Sequence, residues 1–213
     1  MTMTTPPSGP TYTEAVAAFS SLFGAPLETI DIDAIHQPLD EGPLAPLAAI
    51  PAIRDAVASL REIVIAQGEP QKGVSELNKA FCKLFMGLGG PRSAPPYESA
   101  YTGDGRLFQE PAREMDKLLQ QQGLAPSEEF PEAADHLALE LSLMEETLRL
   151  AGLTEDRNDI ALVRDLHTRL LGWVPNFAGA CAAHDPSGFY AEAAKLLLTF
   201  LKLPHPKLTP AAA

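Results

Sequence analysis

Apolar side chains recur at helical spacing through most of the chain. Tyr12, Val16, Phe19 and Phe23 mark one face behind a capping pair at Thr11 and Glu14, and Ile53, Val57, Leu60 and Val64 mark a second behind Pro51. Pro51 stands where a first-turn proline is tolerated, and Gly68 where a glycine stops a helix. Val74, Leu77, Phe81, Leu84 and Phe85 continue the pattern. Met115, Leu118 and Leu119 follow Pro111 and run to Gly123, while Leu137, Leu141, Met144 and Leu148 run to Gly152. Thr154 offers a cap for a helix carrying Ile160, Val163, Leu166 and Leu170; Tyr190, Ala194, Leu197, Leu198 and Leu201, behind Ser187, define the last. Strand-like alternation is confined to Thr29-Ile30-Asp31-Ile32-Asp33, and one isolated strand has nowhere to send its backbone groups. The pattern predicts an all-α fold, a single-domain bundle of roughly nine to ten helices.

Residues 1–10, MTMTTPPSGP, hold almost nothing to bury, and residues 204–213 are similar. The organisation expected is a disordered N-terminal tail, one helical domain over residues 11–203 and a flexible C-terminal tail. The 20 prolines fall mainly where helices should begin or end. The longest break, residues 87–105, reads GLGGPRSAPPYESAYTGDG, too long for a simple connection and of the kind that often carries function.

Charge narrows the function classes. The 213 residues include 28 acidic and 16 basic side chains, a formal net charge of -12, with a sequence pI near 4.8. Affinity for a phosphate backbone comes from lysine and arginine, so a nucleic-acid partner is excluded and an anionic membrane surface is disfavoured. The first basic residue is Arg54, which argues against a secretory or organelle leader, and a cytoplasmic location is expected. Ala194 to Leu203, the most apolar stretch, is short and interrupted by Lys195 and Lys202, so no membrane insertion is expected. Cys82 and Cys181 read as two reduced thiols.

The signatures of most catalysts are missing: no Walker phosphate loop, no GxSxG elbow, no HExxH and no CxxC pair. Gly87-Leu88-Gly89-Gly90 follows a helix and precedes proline, which suits a hinge better than a phosphate cradle. Cys181-x-x-His184 supplies half a zinc site without a second half, and none of the five histidines stands three after a glutamate, so helical di-iron ligand sets are impossible. One constellation survives: Glu132, Asp135 and His136, expected to open a helix just after Pro131, with Glu132 and His136 on one face. It reads either as caps beside a partly buried histidine or as a polar cluster facing a groove. Adjacent Asp135 and His136 would point about a hundred degrees apart on a helix, which is awkward for a charge-stabilising catalytic pair.

Taken in order, further residues carry a resemblance. Phe81-Cys82-Lys83-Leu84-Phe85 is followed by Gly87, by Pro95-Pro96-Tyr97-Glu98-Ser99-Ala100-Tyr101, by Glu110-Pro111, by Glu132 through Asp135-His136 to Glu140, then by Trp173-x-Pro175-x-Phe177 and Phe189-Tyr190. Over roughly residues 19 to 201 this succession resembles the TorD/DmsD family of cytoplasmic chaperones for molybdoenzymes. The resemblance implies a non-enzymatic maturation protein. Such a protein binds the twin-arginine signal peptide of a molybdopterin-containing oxidoreductase, and the apo form of that enzyme's catalytic subunit, delaying export until the cofactor is inserted. It further implies a signal-peptide groove at Leu84, Phe85, Pro96, Tyr97, Tyr101, Glu132, Asp135 and His136. One departure stands out: the family usually reads Glu-Pro-x-Asp-His, whereas here Ala133 replaces the proline and Pro131 comes two positions earlier, which bears on where the helix starts.

The residues suit that role independently. Two guanidinium groups joined to an apolar stretch call for carboxylates beside a hydrophobic groove. The acidic chain offers the first; Leu84, Phe85, Tyr97 and Tyr101 offer the second, although Leu84 and Phe85 also read as core, and Trp173 and Phe177 read as packing between C-terminal helices. Two rivals stand beside it: a NarJ-like assembly chaperone for a non-exported subunit, and a nucleotide-binding switch. No cofactor is expected, with weak guanine-nucleotide binding left open by the resemblance. A monomer with some domain-swapped dimer is expected through the hinge at residues 87–96.

Overall fold

The computed structural model describes residues 9–124, 131–154, 156–205 and 208; the rest of the two expected tails lies outside the described residues. Among the described residues there are nine α-helices and no strand. They are α1 (Gly9–Gly24), α2 (Thr29–His36), α3 (Ala45–Ala48), α4 (Arg54–Ile65), α5 (Pro70–Leu84), α6 (Glu110–Gln121), α7 (Leu137–Thr154), α8 (Arg157–His184) and α9 (Phe189–Leu201). The all-α reading holds. None of these helices is long and apolar enough to cross a membrane.

α7 is the axis of the bundle. It lies along α1 on one flank and α8 on another, and α8 in turn lies along α9. Leu137, Leu141, Met144 and Leu148 are buried, as the spacing predicts, but so are Ala138, Leu143 and Ala151, because the helix has neighbours on several sides. The core is aromatic where α1, α5, α8 and α9 meet. Phe23 packs edge-on against Phe177 at 5.5 Å between centroids, Phe85 against Tyr190 at 5.1 Å, and Phe81 against Phe85 at 5.0 Å. Tyr12 stacks on Phe200 at 4.4 Å and lies tilted against His205 at 4.3 Å, so His205 is buried against the bundle although it falls within the segment read as a C-terminal tail.

Several boundaries differ from the pattern, each for a local reason. The alternating Thr29 to Asp33 stretch is helical: Ile32 and Ile35, three apart, point inward, and Glu28 and Asp31 exchange bonds in a capping box. α1 begins at Gly9, which places Thr11 inside the helix. α4 opens at Arg54, leaving Pro51 in the preceding turn. Thr154 ends α7 instead of capping α8, because its hydroxyl donates to the Leu150 carbonyl at 3.1 Å; Asp156 takes the cap and accepts from the Asn158 amide at 2.7 Å. α8 carries Pro175 in its interior, where one rung of the hydrogen-bond ladder is missing.

Candidate functional site

After α5 the chain turns back on itself. A Cβ at Gly89 would stand 2.5 Å from the carbonyl oxygens of both Lys83 and Arg92, so only glycine fits this close approach. The Ala94 amide then donates to the Leu84 carbonyl at 2.8 Å, which delivers the Pro96 to Tyr101 segment to the start of α7.

There two distant stretches dock. Tyr97 and His136 form an isolated antiparallel bridge, the Leu137 amide donates to the Pro96 carbonyl at 2.8 Å, and the Glu98 amide donates to the Asp135 carbonyl at 3.0 Å. The Asp135 carboxylate accepts from the Ser99 amide at 2.9 Å and so caps the 3-10 turn Glu98–Ala100. The expected helix start behind Pro131 is therefore corrected: residues 131–136 are not helical, and α7 opens at Leu137. The backbone at Asp135 and Leu137 pairs with the loop instead of continuing a helix upstream. His136 Nδ1 accepts from the Ala138 amide at 3.1 Å, capping α7 with its own side chain. Glu132 and His136 accordingly do not share a helix face; Tyr97 joins them, its phenol donating to Glu132 and its ring standing edge-on to His136 at 5.0 Å.

Burial sets the state of these groups. His136 is only 5% exposed, and burial lowers its pKa to about 4, so the ring is neutral and its Nδ1 can accept. Burial, then the bond to Glu132, pushes the Tyr97 phenol up. Asp135 is fully buried, Pro96 is buried, and Tyr97, Glu132 and Tyr101 are half-buried. Tyr101 stacks on Trp173 at 5.8 Å between centroids. Leu84 and Phe85 lie in the core, at 0% and 6% exposure. The structure thus brings Pro96, Tyr97, Glu132, Asp135 and His136 into one junction, and sets Leu84, Phe85 and Tyr101 in the packing around it.

Beneath the loop lies a charge cluster that the spacing of residues did not single out. Arg169 of α8 pairs with Glu98, with Glu114 of α6 at 3.0 Å and with Glu140 of α7 at 3.7 Å, and it donates to the Pro111 carbonyl at 2.9 Å. Trp173 Nε1 donates to Glu140 at 3.1 Å. Burial, then the charge of Glu98, raises the Glu140 carboxyl against the pull of Arg169; Glu98 is also raised, chiefly by burial. One signal for Glu140 was present: it falls on the buried stripe of α7, three after Leu137 and four before Met144. Arg169 has no comparable sequence mark. Next to this cluster a cleft of about 450 Å³ is lined by Glu98, Asp104, Glu110 and Glu114, and each carboxylate is paired with an arginine: Glu98 and Glu114 with Arg169, Asp104 with Arg106 at 3.5 Å and Glu110 with Arg113 at 3.5 Å.

Residues 48–179 match the family described as nitrate reductase delta subunit, a span that includes the docked loop, Glu132 to Glu140 and Arg169. The chain belongs to that family. Chaperone protein TorD of Photobacterium profundum is 34% identical over 194 residues, covering 86% of this chain and 88% of its own. TorD of Vibrio parahaemolyticus is 33% identical over 191 residues, with 87% and 88% covered, and that of Aliivibrio fischeri is 34% identical over 190 residues, with 86% and 88% covered. No solved structure matches the chain. Relatives that extend along most of it are chaperones, so this is a maturation chaperone for a redox enzyme and not itself an enzyme.

Proposed function

We propose that the protein binds the twin-arginine signal peptide of a molybdopterin-containing oxidoreductase in the cytoplasm and delays export until the cofactor is in place. The observation that carries this reading is the junction of the 96–101 loop with residues 132–137, where the half-exposed Tyr97 and Glu132 meet. A guanidinium group finds an anionic acceptor there in Glu132, and the phenol ring supplies an apolar platform. Asp135 and His136 act through this junction, being buried in it, while Leu84, Phe85, Pro96 and Tyr101 support it from below.

Calorimetric titration tests the reading, using a twin-arginine signal peptide from a molybdoenzyme encoded beside this protein and a copy with both arginines changed to alanine. Binding that needs the arginines is the expected result. Binding indifferent to them moves the assignment to an assembly chaperone for a non-exported subunit. No binding of either peptide overturns both. We also propose a monomer that exchanges helices through residues 87–96 to give some dimer, and a single mass by light scattering at all concentrations would overturn it.

A further inference from the structure

A second concavity, of about 880 Å³, lies away from the buried charge cluster, between α1, α2, α3 and the first turns of α7. Its wall on α1 carries short side chains, Ala17, Ala18 and Ser21, on the face opposite the core residues Tyr12, Val16, Phe19 and Phe23. The floor is closed by a tight helix crossing. The Ser20 hydroxyl donates to the Ala138 carbonyl at 2.9 Å and lies 2.9 Å from the Ser142 hydroxyl, and a Cβ at Gly24 would sit 3.4 Å from Ala138 Cβ. Small residues thus bring α1 against α7 and leave open volume above the crossing.

Three observations describe what fits there. First, the lining is mainly apolar, and Ile30, on its α2 wall, is 71% exposed, an apolar side chain that a partner would cover. Second, every charged residue of the lining is acidic: Glu14, Glu28 and Asp31. None of the three is held in an ion pair with a lysine, arginine or histidine among the described residues. An occupant is therefore apolar along its length and carries no acidic group where it meets the rim. Third, the lining residue Ala138 is the one whose amide is held by His136, so the groove begins where the docked loop ends.

We infer that this groove receives the apolar stretch of the client's signal peptide, a subsite separate from the loop junction that takes the arginines. The inference rests on the signal-peptide reading above. It assigns to α1 and α2 a recognition role that the core pattern of those helices does not require.

The test uses the full chain, two variants and two peptides. Ala17→Arg fills the groove, and Ile30→Glu places a charge on its wall at a position exposed enough to leave the fold intact. One peptide is the complete signal; the other keeps both arginines but has its apolar stretch replaced by serine and glycine. Wild type should bind the complete peptide at least about tenfold more tightly than the replaced one. Both variants should lose that advantage and match wild type on the replaced peptide within about twofold. If wild type binds the two peptides equally, or if Ile30→Glu binds the complete peptide as wild type does, the groove assignment is overturned while the chaperone reading stands. If wild type binds neither, the signal-peptide reading falls and the groove's occupant with it.

Discussion

The two flanks of α7 are built on opposite terms. Against α1 the helix presents Ala138 and Ser142, which meet Ser20 and Gly24, and the backbones approach closely with space left at the edge. Against α8 it presents the fully buried Glu140, which meets Arg169 and the buried Trp173. Both flanks hold the bundle, but one leaves volume and unmatched carboxylates, while the other uses its charges up on itself. Openness to a partner here follows from side-chain size and pairing more than from hydrophobicity, since both flanks are bordered by apolar residues.

The strongest way to break the comparison is Arg169→Met. It leaves the buried Glu140 and the partly buried Glu98 without their cation, and a loss of about 3–5 kcal/mol in urea unfolding is expected. Adding Glu140→Gln should recover part of that loss, the mark of a coupled pair. An unchanged urea midpoint in the single variant would show that the buried flank is not held by charge.

The next effect is a pH dependence. His136 is lowered to about 4 by burial, against about 6.5 in an unfolded chain, so the unfolded state takes up the proton first as pH falls. Its contribution to stability is present above about pH 6.5 and is lost towards about pH 4, by about 3 kcal/mol in all. Glu140, raised in the fold, works the other way. His136→Asn keeps an acceptor for the Ala138 amide without titrating between those pH values, so its unfolding free energy should lack the slope that His136 gives the wild type.

Asp135→Ala removes the cap on the Glu98–Ala100 turn, and about 1–3 kcal/mol should be lost from peptide affinity with helicity by circular dichroism unchanged. The smallest change is Ser20→Ala, at about 0.5–1.5 kcal/mol of stability, because α1 keeps its apolar packing when one hydroxyl bond to α7 is gone. A larger loss there would mean that the crossing itself, and not its neighbours, fixes the open flank.

Periodicity made most of the fold legible, because long helices with three or four buried positions repeat their signal. It failed at α2, where eight residues and two aspartates alternating with isoleucines imitate a strand until Ile35 is counted. That certain residues meet at the junction was legible, since the ordered motifs named Pro96, Tyr97, Glu132, Asp135 and His136. Their geometry was not. Asp135 is fixed by an amide 36 residues earlier, and no local rule tells that a carboxylate will cap a distant turn instead of its own helix. Arg169 was silent for the same reason, as its partners come from three other segments.

The closeness of α1 to α7 also sets a timetable for biosynthesis. Ser20 and Ala138 are 118 positions apart, so the first helix leaves the ribosome long before the surface it rests on exists. At about 5–20 residues per second the delay is roughly 6–24 s. For that interval Phe19 and Phe23 lack their α9 and α8 partners as well, since Phe200 and Phe177 are made later still. A protein that attends the assembly of others thus begins as an unfinished chain with exposed aromatics, and its own yield in the cell depends on how well that interval is bridged.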